Sequence, residues 1–217
     1  MRNHTRAIRG GLYLVIDPAK GWEKVLPAVQ QAIAGGIDII QVWNHWHPEQ
    51  QKTAFIEKIC RAAHPYHIPV LMNEDWQLMN DTSLDGVHFD EIPASIDAIR
   101  QQVQRPFWGG ITCGNDLQKV QWAVDNRLDY ISFCSMFPSA TANSCELVKI
   151  ETVQAARALT NMPIFLAGGI TPDNLSLFEG TGMNGVAVIS GIMNAEDPQQ
   201  KTHSYKQALH HIQQKTP

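Results

Sequence analysis

The sequence predicts an α/β protein that folds as a single (β/α)8 barrel, a TIM barrel. Eight short apolar runs alternate with segments of helical periodicity. The runs are apolar throughout instead of alternating with polar residues, which is typical of parallel strands covered on both faces. The 217 residues divide into eight βα units of about 27 residues each, close to the size of this barrel. We therefore expect one domain over residues 1–217, with its core at about 12–193 and a C-terminal helix at about 198–214.

The order of the elements follows from the apolar runs and from the residues that end them. The first run, 12–16, ends at Asp17, where no Gly-rich nucleotide fingerprint follows, and this argues against a doubly wound sheet. The next helix has an apolar face that ends at Ile33 and is closed by Gly35. The remaining strands are expected at 37–42, 69–72, 85–89, 107–112, 129–133, 163–167 and 185–189. The helices between them are expected at about 48–63, 75–82, 94–104, 115–126, 146–160 and 172–181.

Composition excludes several classes of protein. The chain is 44% hydrophobic and 18% charged, which excludes an intrinsically disordered protein. Its formal charge of −4 argues against nucleic acid as a partner. No apolar stretch approaches the roughly 18 residues of a membrane helix, and the N-terminal segment lacks the apolar core of a signal peptide. The four cysteines have no metal-ligand spacing and are interpreted as reduced thiols of a cytoplasmic protein.

Two segments near the C-terminus indicate a phosphate site. In such a barrel the active site lies at the carboxyl ends of the strands, so the residues after each apolar run are the candidates. Gly168 and Gly169 follow the seventh run, and Ser190 follows the eighth, where a short helix begins. Glycines let the backbone approach phosphate oxygens, and a helix N-terminus offers free N–H groups. The alternative is that the glycines only make a tight turn and that Ser190 caps a helix.

Motifs along almost the whole chain carry a resemblance to a known family. They occur in the order Leu12-Tyr-Leu-Val-Ile-Asp17, Gln41, Asn73, Asp85-Gly-Val-His88, Phe137-Pro-Ser139 with Thr141, Ala167-Gly-Gly-Ile-Thr-Pro172 and Gly185-Val-Ala-Val-Ile-Ser190. In this order and spacing the chain resembles the thiamine phosphate synthase family, and the related thiazole tautomerase family shares much of the pattern. The resemblance implies a protein of thiamine biosynthesis that joins a hydroxymethylpyrimidine pyrophosphate to a thiazole phosphate. It also implies Mg²⁺ as the cofactor that helps to release pyrophosphate.

The resemblance also assigns roles to residues at the strand ends. The residues for which it implies a catalytic role are Gln41, His45, Asn73 and Thr112. Those that it implies for binding the thiazole phosphate are Ser139, Thr141, Gly168, Gly169, Ile189 and Ser190. The metal ligands that it implies are Glu74 and Glu91, with Asp90 as an alternative to Glu91.

The half of the site that would hold pyrophosphate departs from the family pattern. Trp43, His45 and Ala142 stand where the resemblance implies Arg, Lys and Lys. The leaving pyrophosphate carries about three negative charges, and preorganised cations stabilise its departure. A protonated His45 replaces a Lys only in part. If the three cations contribute about 6–9 kcal/mol, their loss slows condensation by roughly 10⁴–10⁶. The competing hypothesis is that a shifted loop delivers Lys149 to the site.

Two further interpretations concern the end of the second strand. Trp43 is suited to stack on a heteroaromatic ring, which contributes about 0.5–1.5 kcal/mol beyond burial. Alternatively, His45 and His47 join carboxylates of the next strand ends in a site for a transition metal such as Zn²⁺. The plainer alternative is that the tryptophan packs against the rim and that the imidazoles are solvated.

Three functions therefore stay open. The first is a transferase of the thiamine phosphate synthase family with a depleted pyrophosphate site, and the whole-chain resemblance favours it. The second is a tautomerase-like or otherwise divergent enzyme acting on a phosphorylated heterocycle, although the tautomerase proton-transferring His is replaced here by Ser135. The third is a non-catalytic barrel that binds a phosphorylated ligand. We expect neither nucleic acid nor a membrane as a partner, and a homodimer is a candidate assembly.

Overall fold

The computed structural model describes residues 8–138 and 146–215, and they contain a closed barrel of eight parallel strands arranged in chain order. The strands are β1 (Gly11–Ile16), β2 (Ile39–Val42), β3 (Val70–Asn73), β4 (Gly86–Phe89), β5 (Trp108–Thr112), β6 (Tyr130–Phe133), β7 (Ile164–Ala167) and β8 (Gly185–Val188). Each strand pairs with the next, and β8 pairs with β1 to close the barrel. The predicted (β/α)8 fold is confirmed, and no observed strand extends more than one residue beyond its predicted run.

Helices cover the outside of the barrel. The α-helices of the described residues are α1 (Trp22–Ala34), α2 (Lys52–Ala63), α3 (Ile96–Val103), α4 (Leu117–Asp125), α5 (Ile150–Leu159), α6 (Ser190–Met193) and α7 (Pro198–Lys215). The longer helices bury an apolar face in the core; in α1 this face contains Val25, Val29 and Ile33. Within the described ranges, no helix is long and apolar enough to cross a membrane.

Two connections that the sequence predicts as helices are short 3₁₀ turns instead. The segment predicted at 75–82 contains the 3₁₀ helix Trp76–Asn80, and the segment predicted at 172–181 contains Leu175–Phe178. A 3₁₀ helix rises further per residue than an α-helix and is used in short pieces, so it returns the chain across the barrel in fewer residues. Met79 and Phe178 are still buried. The sequence therefore indicated helical segments at these positions but not the type of helix.

Side chains of each strand alternate between the helical layer and the inside of the barrel. On β1, Leu12 and Leu14 belong to the outer core, whereas Tyr13 belongs to an inner cluster with Tyr130 and Phe165. These three rings pack edge to face, with centroids 5.4–5.9 Å apart. A Cβ at Gly110 would lie 2.1 Å from the Tyr130 ring, so a glycine on β5 is needed to admit that ring. The cluster fills the middle of the barrel and leaves the layer above it to polar side chains.

A repeated contact holds the amino end of the barrel together. One residue before each even-numbered strand, a side-chain oxygen accepts a hydrogen bond from a main-chain N–H near the start of the preceding odd-numbered strand. The acceptor–donor pairs and their distances are Asp38–Leu12 (2.7 Å), Asp85–Val70 (2.9 Å), Asp129–Gly109 (2.7 Å) and Asn184–Ile164 (2.9 Å). Buried N–H groups must be satisfied, so these contacts fix how neighbouring strands meet. They lie at the end of the barrel that supports stability, opposite the end that carries active sites.

Candidate functional site

A cavity of about 320 Å³ opens at the carboxyl ends of the strands. Every strand contributes to its wall, from the strand itself or from the residue layer at its end. The contributors, in strand order, are Val15, Gln41, Asn73, His88, Thr112, Ser132, Ala167 and Ala187. Such a volume is typical of a small-molecule site, and this end of the barrel is where active sites lie.

The structure brings most of the predicted site residues together around this cavity. Those that line it are Gln41, Asn73, Thr112, Gly168, Gly169, Ile189 and Ser190. Three others, His45, Glu74 and Glu91, do not belong to its lining. The predicted thiazole contacts Ser139 and Thr141 lie outside the described residues, as does Ala142.

A chain of hydrogen bonds crosses the barrel beneath the cavity. The hydroxyl of Tyr13 donates to Oε1 of Gln41 over 2.6 Å, and it lies 2.9 Å from the hydroxyl of Tyr130. His88 continues the chain, because its Nδ1 lies 2.9 Å from the Tyr130 hydroxyl and its Nε2 lies 2.9 Å from Oγ1 of Thr112. The imidazole and the Tyr130 ring are stacked, with an interplanar angle of 21°. Packing therefore holds these groups in the positions that the hydrogen bonds require.

Burial keeps this chain uncharged. Desolvation lowers the pKa of His88 to about 4, and the nearby carboxylate of Asp90 offsets this only in part. Desolvation also raises the pKa values of Tyr13 and Tyr130 above that of an exposed tyrosine. At neutral pH the imidazole is neutral and the phenols are protonated. Each of these groups therefore has one proton to donate.

The carboxylate that lines the cavity is that of Asp90. Nδ2 of Asn73 donates to its Oδ2 over 3.0 Å, and Oδ1 of Asn73 accepts the main-chain N–H of Asn44 at 3.3 Å. The amide is therefore held from both sides, between the ends of β2 and β4. Asn73 lines the cavity, whereas Glu91, which the sequence analysis preferred to Asp90 as a metal ligand, does not.

The two carboxylates assigned to Mg²⁺ are engaged elsewhere. Glu74, which has a left-handed backbone with φ +62°, turns its Oε1 to the main-chain N–H groups of Asp90 and Glu91. Glu91 pairs with Lys119 at 2.6 Å. The described residues contain no group of three or more His, Cys, Asp or Glu side chains that is arranged to hold a metal. As arranged, Glu74 and Glu91 do not fit a shared magnesium ion.

The residues after β2 divide between the cavity and its rim. Trp43 lines the cavity, as stacking on a ring ligand would require. The ring of His45 lies 5.1 Å from that of Trp43, and its Nδ1 lies 3.0 Å from Oδ1 of Asp17. His47 is exposed. The predicted transition-metal cluster is therefore not assembled by the described side chains.

The glycine pair after β7 has the backbone that the phosphate hypothesis requires. Gly168 and Gly169 both have positive φ, +93° and +66°. A Cβ at Gly168 would lie 2.6 Å from the backbone of Ser135, and one at Gly169 would lie 2.8 Å from Cβ of Phe137. Across the cavity wall, α6 begins at Ser190, and the first N–H groups of a helix have no intrahelical partner. Left-handed glycines and helix starts are backbone features that proteins commonly use to bind anions.

Two further residues of this region line the cavity: Tyr205, which the sequence analysis did not single out, and Ser135, which it named only as the replacement for the tautomerase histidine. Tyr205 of α7 is fully buried, lines the cavity and donates its hydroxyl to the carbonyl of Ile170 at 2.8 Å, which anchors the loop after the glycines. Its spacing to Leu209 and Ile212 was a signal that α7 has an inward face. Ser135 is 2% exposed, lines the cavity and has a left-handed backbone with φ +62°. No sequence signal indicated that backbone.

No lysine or arginine among the described residues lines the cavity. Lys52 pairs with Asp75 at 2.8 Å, and Lys119 is held by Glu91. Lys149 immediately precedes α5, is exposed and does not reach the lining. Residues 139–145 contain no lysine or arginine in their sequence. The charge of a bound ligand would therefore be met here mainly by backbone N–H groups.

Comparisons with known proteins agree on one family. The family model described as thiamine monophosphate synthase matches residues 12–192. A thiamine-phosphate synthase from Nitrosococcus oceani is 30% identical over 203 residues, which cover 91% of each chain. One from Halorhodospira halophila is 29% identical over 189 residues, 87% of this chain and 89% of that one. The solved thiamine phosphate pyrophosphorylase from Pyrococcus furiosus has a TM-score of 0.81 at 21% identity, covers 94% of this chain and 97% of its own, and supports the fold.

Proposed function

The chain belongs to the thiamine monophosphate synthase family, and we propose that it binds a thiazole phosphate and a hydroxymethylpyrimidine ligand but condenses them slowly. Its function is synthase-like, in thiamine biosynthesis. The reaction forms a bond from the thiazole nitrogen to the pyrimidine methylene carbon and breaks the bond from that carbon to pyrophosphate. The observation that carries the proposal is a cavity that combines a glycine anion site with a wall free, among the described residues, of lysine and arginine.

The phosphate of the thiazole partner is assigned to the glycine end of the cavity. Main-chain donors at Gly168, Gly169 and Ser190 suit this group because they contribute partial positive charge without a cationic side chain. The anchor of Tyr205 on Ile170 keeps the loop in place before the ligand arrives. Preformed donors require little reorganisation on binding.

The pyrimidine ring is assigned to the opposite, polar side of the cavity. Gln41, Asn73 and Thr112 offer uncharged hydrogen-bonding groups there, and Trp43 offers a flat face for stacking. Such groups recognise a ring edge by the pattern of its donors and acceptors. A ring held this way would place its methylene carbon in the cavity beside the thiazole.

The slow step in this proposal is departure of pyrophosphate. A single preorganised donor contributes about 3–4 kcal/mol to an oxyanion transition state. Trp43 and the rim residue His45 stand where two cations are implied, and no described Lys or Arg replaces them. Asp90 adds a negative charge to the same wall, which opposes the charge that builds on the leaving group. We therefore expect the 10⁴–10⁶-fold slowing given above to persist.

Magnesium stays a proposal that the arrangement of Glu74 and Glu91 does not support. Mg²⁺ commonly uses one or two carboxylates together with substrate phosphates and waters. Asp90 is the carboxylate that the described lining offers to such an ion, and it already accepts the amide of Asn73. We derive no step of the reaction through the metal.

The alternative functions need groups that the described cavity does not supply. A tautomerase needs a proton-transferring base, and the described imidazole in the wall, His88, is buried between two hydrogen-bond partners. Asp90 is the other candidate base, and it is tied to Asn73. A non-catalytic phosphate-binding barrel differs from the proposal only in having no turnover, so the assay below separates the two.

A cytoplasmic location and a homodimer complete the proposal. The location rests on the cysteine pattern of the sequence. The assembly is tested by light scattering during size-exclusion chromatography, in which a mass close to the 24.2 kDa of one chain contradicts it.

The test combines binding with turnover. Calorimetric titration should detect thiazole phosphate with the wild type, while a coupled assay with both substrates and Mg²⁺ should detect little release of pyrophosphate. Restoring the charges with Trp43→Arg and His45→Lys should raise turnover at least about 100-fold, because each cation contributes on the order of 3 kcal/mol. The matched control, Gln30→Arg with Gln31→Lys, adds the same charges at exposed positions of α1 and should change nothing.

Each outcome decides something. Wild-type turnover within the ordinary enzyme range of about 1–10³ s⁻¹ contradicts slow condensation. If the restored variant binds both ligands and stays inactive, the protein is a binding barrel and not a depleted synthase. If the wild type does not bind thiazole phosphate, the assignment of that phosphate to the glycine end is wrong.

A further inference from the structure

The hydrogen-bond chain beneath the cavity has a direction that can be deduced from its two ends. Tyr13 has one hydroxyl proton, and in the structure that proton is donated to Oε1 of Gln41, which can only accept. The 2.9 Å contact between Tyr13 and Tyr130 must then use the single proton of Tyr130, with the oxygen of Tyr13 as acceptor. Tyr130 has no second proton for His88. The Nδ1 atom of His88, 2.9 Å away, must therefore carry the proton that it donates to Tyr130.

The neutral state of His88 extends the deduction to the other end. The imidazole is 5% exposed, and its two ring nitrogens hydrogen-bond hydroxyl groups of Tyr130 and Thr112 and no described carboxylate, so an unpaired charge is disfavoured there. In the neutral ring, a proton on Nδ1 leaves Nε2 unprotonated, as an acceptor. The hydroxyl of Thr112, 2.9 Å from Nε2, is then the nearer donor, and Oγ of Ser132 lies 3.5 Å from the same nitrogen. Its oxygen still accepts, and the Oγ of Ser132 lies 3.2 Å from it. All the protons in the chain therefore point the same way, from Thr112 towards Gln41.

We propose that Tyr13, Tyr130 and His88 are positioning residues that jointly fix the hydrogen-bonding faces that Gln41 and Thr112 present to a ring ligand. With its Oε1 bound to Tyr13, Gln41 presents the Nε2 amino group, which donates to no described residue. With its proton bound to His88, Thr112 presents lone pairs. The cavity therefore accepts a heteroaromatic ring with an acceptor opposite Gln41 and a donor opposite Thr112.

The hydrogen bonds of the chain can also run in the opposite direction, but only if all of them reverse together. A chain in which some members point one way and some the other is disfavoured. If Gln41 turned its amino group to Tyr13, then Tyr13, Tyr130 and His88 would each have to reverse, and His88 would carry its proton on Nε2. A single reversed member leaves a buried group unpaired or sets two protons face to face, which shifts an equilibrium by about fivefold or more. The two ends of the chain are thus coupled, although Gln41 and Thr112 belong to strands on different sides of the barrel.

The tautomer of His88 reads out the direction in the ligand-free protein. We would label histidine with ¹⁵N and assign the His88 ring by comparison with His88→Gln. At pH 7 the wild type should show a pyridine-type nitrogen at Nε2 and a protonated Nδ1. In Tyr13→Phe, Tyr130 loses its acceptor, turns its proton to Nδ1, and His88 should move its proton to Nε2, with at least about a fivefold change in the tautomer ratio.

A second variant keeps the test decisive if Tyr13→Phe does not fold. Gln41→Met removes the acceptor at the far end of the chain, so Tyr13 and then Tyr130 should reverse, and His88 should again move its proton to Nε2. The control, Tyr66→Phe, removes a hydroxyl from a 65% exposed tyrosine and should leave the tautomer unchanged. A wild-type His88 protonated on Nε2, or a tautomer that does not respond to either variant, overturns the proposal.

The ligand side of this inference rests on the proposed function and is tested separately. Tyr13→Phe should weaken calorimetric binding of hydroxymethylpyrimidine pyrophosphate about tenfold or more, because Gln41 is no longer held with its amino group towards the ring. Thiazole-phosphate binding should stay unchanged. Equal weakening of both ligands indicates general damage to the barrel and overturns the positioning role. If neither ligand binds the wild type, the proposed function fails, while the tautomer result stands on its own.

Discussion

Inside the barrel, His88 is 5% exposed, and desolvation lowers the pKa of its imidazole from 6.5 to about 4. Asp90 acts in the opposite direction, but its effect is the smaller one. Unfolding exposes the ring and returns its pKa to the ordinary value. Between these two pKa values the unfolded chain therefore binds a proton that the folded protein does not. The contribution of neutral His88 to stability is fully present above pH 6.5 and is lost as the pH falls towards 4.

The size of the effect follows from the two pKa values. A difference from 6.5 to about 4 corresponds to a total of about 3 kcal/mol, at about 1.4 kcal/mol per pKa unit. Because titration is gradual, His88 should reduce the free energy of unfolding by about 1 kcal/mol at pH 5.5 and by roughly 2–3 kcal/mol at pH 4.5, relative to pH 7.5. Other groups also titrate in this range. The quantity to measure is therefore the difference between proteins with and without His88.

Urea unfolding at pH 7.5, 6.5, 5.5 and 4.5 provides that difference. His88→Gln loses stability at every pH because the hydrogen-bond chain is broken, but this loss does not depend on pH. Subtracting the two profiles should leave a term that falls by roughly 2–3 kcal/mol between pH 7.5 and 4.5. His203→Gln, at an exposed position of α7, should follow the wild-type slope. Parallel profiles for wild type and His88→Gln would show that the imidazole is not held neutral and would refute the reasoning.

Three further predictions concern binding and stability. Gly169 has a positive φ, and Gly169→Val introduces a Cβ 2.8 Å from a neighbouring side chain. This variant should weaken thiazole-phosphate binding at least about 100-fold by calorimetry. The control Gly180→Val, at φ +76° with open space around it, should leave the affinity unchanged. Asp85→Ala leaves the first N–H of β3 unpaired and should lower the free energy of unfolding in urea by about 1–3 kcal/mol; an equal loss in the exposed Asp81→Ala would contradict this. Tyr205→Phe releases the loop after the glycines and should lower the free energy of unfolding in urea by about 1 kcal/mol. It should also weaken thiazole-phosphate binding and leave pyrimidine binding unchanged. Unchanged binding of both ligands would contradict the anchoring role.

The strands were predictable because the relevant information is local. A parallel strand that is covered on both faces is apolar along its whole length, so each strand can be recognised from its own residues. The helices at 75–82 and 172–181 were not predicted correctly as helices, because the length of a connection across the barrel decides between an α-helix and a 3₁₀ turn. Knowing where the strands end also located Gln41, Asn73 and Thr112 at the cavity, because residues at the end of an apolar run lie at the carboxyl end of the barrel.

The residues that the sequence did not assign depend on contacts between distant segments. Tyr13 and Tyr130 sit within apolar runs and look like ordinary core residues, but they meet across the barrel and hydrogen-bond each other. Tyr205 reaches the cavity from the last helix, after all the strands. For Glu91, the ion pair with Lys119 of α4 decides the direction of the carboxylate. None of these partners is near in sequence, so no local pattern could reveal them.

Under the proposed function, the two ends of the cavity place different demands on the sequence, which would explain how a family member could retain its fold and lose its rate. At the glycine end the proposed anion would be met by main-chain N–H groups, so the site would survive as long as Gly168 and Gly169 keep their positive-φ backbone. At the pyrophosphate end the charge must be met by side chains, and a single substitution such as Trp43 for a cation removes that charge outright. Because Trp43 lines the cavity and is not part of the barrel core, the substitution leaves the core untouched. Similarity over residues 12–192 therefore establishes the family. The rate of condensation would depend on a few side chains, which contribute little to that overall similarity.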